Sequence, residues 1–257
     1  MTKRRGPPPG TTRTIRLDVQ YEGTAYAGFQ CQANGESVQA LLQRALVRVA
    51  SEKVTLFASS RTDAGVHARQ QVVSFSLGGS RTPVRAFVEG TNALLPEDIR
   101  VVEAAEVDLW FHANQDAIEK TYRYFFYSGR VPSVFLRRFA LHLRKEPDWQ
   151  AAEEAAKLLV GKHDFAAFRT RGTLTKSSVR TVLSTRFKED SYGLRFFEIR
   201  ADGFLKHMVR NIVGTLLEIG HGKREVGSIS AILRSKDRRF AGATAPPHGL
   251  FLWRVVY

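Results

Sequence analysis

The sequence predicts an α+β fold made of two halves with similar element order. Three observations carry this. Short runs alternate apolar and polar residues, as half-buried strands do: Ile15, Leu17, Val19 and Tyr21 against Arg16, Asp18 and Gln20, and later Tyr122, Tyr124 and Phe126 on one face. Other runs place apolar residues at helical spacing, as Val38, Leu41, Leu42, Ala45, Leu46 and Val49 do. The succession strand, helix, strands, helix, strand is then read twice, although no sequence repeat is visible.

The elements follow in order. Residues 1–12, basic and Pro-rich with no apolar segment behind them, read as a flexible tail rather than a secretory signal. Thr14–Tyr21 is a strand and Gly23–Gln32 a Gly- and aromatic-bearing loop. Ser37 caps the first helix. Strands are expected at 53–58 and 69–77. Pro83 opens a second helix that stops before Pro96, and Ile99–Val107 closes the half. These residues, 13–110, make the N-terminal domain. The second domain, 111–257, starts with a strand at Lys120–Tyr127. Asp148 caps a helix reaching Gly161. Val179–Lys188 and Leu194–Ala201 form a hairpin about Asp190–Gly193. Phe204–Gly220 and 225–234 are helices, and Phe251–Tyr257 is the closing strand.

Composition narrows the function. Lys and Arg number 39 against 25 Asp and Glu, a formal charge of +14, which points to a polyanionic partner such as nucleic acid. The cations are spread. Arg130, Arg137, Arg138, Arg144 and Lys145 lie in 130–145 without an acid, and Lys162, Arg169, Arg171, Lys176, Arg180, Arg186 and Lys188 lie in 162–188 beside Asp164 alone. A third cluster joins Lys223–Arg224 to Lys236–Arg239. Such a spread suits a folded groove better than a basic tail. Cys31 is the only cysteine, so neither an intrachain disulfide nor a cysteine metal site can form, as fits a reducing cytoplasm. No apolar run approaches the ~20 residues of a membrane span. The chain has no Gly-x-x-x-x-Gly-Lys-Ser/Thr and no His-Glu-x-x-His, and its histidines form no metal pattern.

The most informative stretch is 58–68, Ala-Ser-Ser-Arg-Thr-Asp-Ala-Gly-Val-His-Ala. It sets one carboxylate, Asp63, and one guanidinium, Arg61, on a tight loop between two strands, where chemistry is often done. By spacing alone a plain Asp-Ala-Gly turn is the better reading. The string Arg-Thr-Asp-Ala-Gly-Val-His-Ala, however, resembles the signature loop of TruA-type tRNA pseudouridine synthases. Further blocks resemble the same family: Tyr21–Gly23 with Gly28–Gln32, Asn92 with Leu95–Pro96, Phe111–Ala113, Lys120–Tyr124, His163–Phe168, Val179–Val182, Phe204–Gly214, and Pro246–Pro247 with Gly249–Leu252. The departures are Ser60 for a common Gly, Asn114–Gln115 for a common Arg-Phe, and Lys206 for a common aromatic.

The resemblance implies the pseudouridine synthase fold: two ferredoxin-like α/β sandwiches with mainly antiparallel sheets, side by side, and a catalytic cleft between them. It implies uridine isomerisation at positions 38, 39 and 40 of the tRNA anticodon stem-loop, by a homodimer using neither metal nor cofactor. Asp63 would be the nucleophile and Arg210 its cationic partner. Tyr122 would stack on the uracil, Arg61 would contact the RNA by taking the flipped nucleotide's place or holding its phosphate, and Leu250 would close the pocket floor. For Tyr124 and Phe126 a core role is expected, and for His67 a bracing role. Two other classes compete. A non-catalytic RNA-binding relative predicts a damaged Asp63 loop, whereas a methyltransferase predicts a glycine-rich nucleotide loop, and neither is found.

Overall fold

The computed structural model describes residues 7–32, 35–170, 172 and 175–257. The chain divides into two compact units: residues 1–118 with Leu252–Tyr257, and Glu119–Phe251.

The first unit holds β1 (Arg13–Tyr21), α1 (Val38–Ala50), β2 (Phe57–Ala58), β3 (His67–Leu77), α2 (Val84–Asn92) and β4 (Ile99–Val107). β1 lies between β3 and β4 and is antiparallel to both, with Ile15 opposite Phe75 and Glu106. Its inward residues Ile15, Leu17 and Val19 have no exposed surface. The alternation that predicted the strand is thus the alternation that fills the core. α1 buries Val38, Leu42, Ala45 and Leu46, whereas Leu41 and Val49 of the same helical pattern are half-buried. Ser37 caps it, its hydroxyl accepting from the Ala40 N–H at 3.3 Å. Phe87 of α2 meets Phe75 of β3 edge-on at 5.5 Å.

The second unit holds β5 (Glu119–Ser128), β6 (Leu141–Leu143), α3 (Trp149–Lys157), β7 (Gly161–Asp164), β8 (Val179–Glu189), β9 (Arg195–Ala201), α4 (Met208–Gly220) and α5 (Ser228–Ser235). The strand order β5-β9-β8-β7 is antiparallel throughout, and only β6 runs parallel, beside β5. One face of this sheet packs Phe126, Phe187 and Phe197 against Trp149 of α3 and Val213 and Leu216 of α4. On the other face the buried Glu198 pairs with Arg123 at 2.6 Å and with Arg186. The fold is α+β with mainly antiparallel sheets.

Several boundaries differ from expectation. The predicted strand at 53–58 is a strand only at Phe57–Ala58. Val54 and Leu56 are buried, but an apolar run reports burial and not ladder pairing. α3 ends at Lys157 rather than reaching Gly161, because Gly161 already belongs to β7. α4 begins at Met208, four residues later than expected. His207 stands at φ +62°, outside helical geometry, and its Nδ1 is 2.7 Å from the Thr170 hydroxyl. β6 and β7, of three and four residues, carry too short a pattern to be read.

The sequence puts the domain boundary after residue 110, whereas the contacts divide after Ile118 and return the last six residues to the first unit. There β10 (Leu250–Val256) neighbours β3. Val256 accepts from the Ile118 N–H at 2.9 Å, and the Tyr257 hydroxyl donates to the Ala113 carbonyl at 2.7 Å. Of the expected tail, residues 1–6 lie outside the described residues. Its described end is held: the Thr12 N–H donates to the Leu77 carbonyl at 2.8 Å. Among the described residues no helix is long and apolar enough to cross a membrane.

Candidate active site

Asp63 sits on the loop from Ser59 to Val66, between β2 and β3. Its backbone forms the turn that the sequence suggested. The Val66 N–H donates to the Asp63 carbonyl at 3.1 Å, and Gly65 has φ +76°, the value a type II turn requires at that position. Asp63 is half-buried, while Arg61 is exposed and makes no ion pair with it among the described residues.

The loop is clamped from one side by the chain's opening block. The Phe29 N–H donates to the Thr62 carbonyl at 3.1 Å, and the Tyr21 hydroxyl meets the Thr62 hydroxyl at 2.7 Å. Gly28, at φ +103°, lies so close that a Cβ there would stand 2.7 Å from the Thr62 carbonyl oxygen. A Cβ on Gly23 would stand 2.0 Å from the Val66 oxygen. Only glycine permits these approaches. The Gly23 N–H donates to His67 Nδ1 at 3.0 Å. His67 is 1% exposed, and that ring nitrogen is an acceptor, so the histidine braces the loop.

From the other side Gln71 of β3 reads the loop's beginning. Its amide donates to the Ser60 carbonyl at 2.8 Å, and its oxygen accepts from the Ser59 hydroxyl at 2.7 Å. Asn114 donates to the Ser59 carbonyl at 2.7 Å. This residue departs from the family's usual arginine, and here it serves the loop's backbone. Neither Gln71 nor Asn114 was singled out as a brace in the sequence. Nothing in their spacing reports a partner ten or more residues away.

The remaining candidates lie in the second unit, at the start of β5 and of α4. Tyr122, Tyr124 and Phe126 leave the same face of β5. Phe126 and Tyr124 are fully buried, as expected. Tyr122 is 5% exposed and meets the Phe204 ring edge-on at 4.9 Å. The Tyr124 hydroxyl donates to the Pro246 carbonyl at 2.8 Å.

Arg210, in the first turn of α4, donates through Nε to the Ala245 carbonyl at 2.7 Å, while the Ala245 N–H donates to the Arg210 carbonyl at 3.1 Å. The guanidinium is close enough to help hold the His248 pKa below its usual value, after burial itself, and to oppose the rise that burial causes at Tyr124. Its neighbour Asn211 is fully buried. That amide donates to the Phe168 carbonyl at 2.7 Å, and its oxygen accepts from the Thr244 hydroxyl at 2.7 Å and from Arg238 at 3.0 Å. Blocks distant in sequence, 163–168, 204–214 and 244–249, are thus joined around Arg210. Leu250, five residues after Ala245, is buried at the start of β10. Among the described residues no group of three or more His, Cys, Asp or Glu could hold a metal ion.

The comparisons with known proteins agree in their assignment. The family described as tRNA pseudouridine synthase matches residues 19–116 and 155–257. A tRNA pseudouridine synthase A of Acetivibrio thermocellus is 42% identical over 95% of this chain and 100% of its own length. The enzymes so named from Pelobacter propionicus and Shouchella clausii are 44% and 45% identical, over 95% and 93% of this chain and 100% and 91% of theirs. With the signature loop intact and the match spanning both units, the chain belongs to the tRNA pseudouridine synthase family, an isomerase that converts uridine to pseudouridine in tRNA.

Proposed function

We propose that this isomerase acts on uridines 38, 39 and 40 of the tRNA anticodon stem-loop, with Asp63 as its nucleophile. The observation that carries the second part is the fixed backbone of the Asp63 loop, held by Phe29 and Tyr21 on one side and by Gln71 and Asn114 on the other. A nucleophile needs such fixing, because small misplacements at a reacting carbon cost rate.

The reaction breaks the N1–C1′ bond, turns the uracil and joins C5 to C1′. The proton on C5 is lost and N1 gains one, so atoms and electrons balance without an oxidant or reductant. Arg210 is the cationic partner in this reading. Tyr122 offers its ring to the flipped uracil, and Leu250 closes the apolar floor. Arg61, exposed beside Asp63, holds the RNA of the flipped nucleotide. The homodimer and a cytoplasmic location belong to the same reading.

The test uses purified protein and unmodified tRNA carrying uridine at positions 38 to 40, with chemical mapping of pseudouridine. Product at these positions with the parent chain is expected, and none with Asp63→Ala. Tyr122→Ala is expected to lose most activity while its far-UV circular dichroism stays unchanged. Product elsewhere in the tRNA would move the target, and a fully active Asp63→Ala would remove the nucleophile assignment. A mass of two chains by light scattering is the expected result for the dimer.

A further inference from the structure

Residues 242–246, just ahead of β10, lie in neither helix nor strand, yet each of them is bonded. The Gly242 N–H donates to the Thr215 hydroxyl at 2.9 Å, and the Ala243 N–H to Glu218 Oε1 at 2.9 Å. The Thr244 hydroxyl donates to Asn211 Oδ1 at 2.7 Å. The Ala245 N–H donates to the Arg210 carbonyl at 3.1 Å, and the Pro246 carbonyl accepts from the Tyr124 hydroxyl at 2.8 Å.

Four of these partners, Arg210, Asn211, Thr215 and Glu218, share one face of α4 by helical spacing. Gly214 completes that face. A Cβ there would stand 1.7 Å from the Ala243 carbonyl oxygen, so the segment runs in a groove that only glycine leaves open. The groove is braced from behind. The Thr215 hydroxyl donates to the Asn211 carbonyl at 2.8 Å, Arg238 donates to Asn211 Oδ1 at 3.0 Å, and Glu218 pairs with Arg224. Ordering a loop residue costs conformational entropy. Here residue after residue of the loop carries a bond that offsets it.

The segment in turn grips one side chain. The Ala245 carbonyl accepts from Arg210 Nε at 2.7 Å. A guanidinium is planar with its N–H groups in a fixed fork, so a bond at Nε sets the direction of the whole group. Ala245 is 4% exposed, and its carbonyl is fixed by the bonds on both sides of it.

We propose that residues 242–246 are a strap that aims the Arg210 guanidinium for the isomerisation, and that Thr215, Glu218 and Asn211 are positioning residues acting through it. This rests on the reading of Arg210 as the cation of the reaction. A guanidinium aimed before the substrate arrives does not spend binding energy on being ordered, so the strap bears on turnover more than on tRNA affinity.

The experiment reads the Arg210 Nε–H proton of the full chain by nitrogen-edited NMR, its signal assigned by its loss in Arg210→Lys. Its exchange with water is expected to be slow in the parent. Thr215→Val and Thr244→Val each take one anchor from the strap and should quicken that exchange about 10-fold, a hydrogen bond's worth. Thr215→Ser keeps the hydroxyl and should restore the slow exchange. Single-turnover pseudouridine formation is followed in the same samples. Its rate at saturating tRNA should fall about 10-fold in the two Val variants, with the half-saturating tRNA concentration unchanged. In an Arg210→Lys background, Thr215→Val should cost little further, because the strap acts through the guanidinium. Unchanged Nε–H exchange in both Val variants overturns the strap. Equal losses from Thr215→Val with Arg210 and with Lys at that position overturn it too. Should Thr215→Val fail to fold, Thr244→Val, at an exposed position, carries both measurements. Full turnover by Arg210→Lys, with exchange quickened in the Val variants, removes the reading of Arg210 and leaves the strap's hold on it.

Discussion

Lys120 shows how one strand position changes an ordinary side chain. Its pKa, lowered to about 8 mainly by burial, means that its charge is lost in the mildly alkaline range. The folded value lies below the unfolded value of 10.5, so between about pH 8 and 10.5 the unfolded chain binds more protons. Folding stability contributed by this group therefore rises with pH across that window and is lowest below it. Urea unfolding at pH 7.5 and 10 should show a gain in the parent that Lys120→Met lacks. An equal gain in Lys120→Met would show that burial of this ammonium is not its cause.

At the scale of elements, the Asp63 loop is held by a neighbour more than thirty residues earlier in sequence. Gly28→Ala puts a methyl group 2.7 Å from the Thr62 oxygen and forces an alanine to φ +103°. It is expected to destabilise the chain by about 1–3 kcal/mol, read from the urea midpoint, and to lose pseudouridine formation beyond what that loss explains. Ser37→Ala is the matched control. It removes the cap of α1, costs about 1 kcal/mol, and should leave turnover of the folded protein unchanged. If the two variants lose activity in proportion to stability alone, the clamp does not position Asp63. The legible elements were the long periodic ones. β4 and the hairpin of β8 and β9 match expectation closely, and α1 begins at the Ser37 cap. α4 was read four residues too long, because Phe204 and Leu205 continue the apolar pattern while His207 breaks the backbone. Residue type carries little sign of a histidine at positive φ.

For the molecule as a whole, the +14 charge makes tRNA binding steeply salt-dependent. Arg180→Glu should weaken binding and lower the slope of log affinity against log salt by about 1, measured between 50 and 300 mM salt. An unchanged slope would place Arg180 away from the RNA. The last six residues offer a second test. They belong to the first unit, where Val256 and Tyr257 accept from and donate to the segment 113–118. Deleting 252–257 should therefore destabilise the N-terminal unit, seen as faster amide exchange in β1 and β3, rather than the unit that precedes it in the chain. Exchange quickened only in β8 and β9 would contradict this.

The sequence by itself determined the family, the α+β class and the identity of the candidate residues. Each of these is local: a signature loop, a hydrophobic period, or a cap three residues from its partner. It marked Asp63, Tyr122 and Arg210 through the blocks that hold them. Only the tertiary structure decided what those blocks do for one another. Gly28 is placed against Thr62, Asn114 against Ser59, Asn211 against Phe168, and the final strand beside β3. It also decided that Lys120, one letter in a matching block, is a buried cation. The reason is physical. Periodicity and propensity record which way a side chain must face, whereas partners, burial and charge environment depend on segments that only folding brings into contact.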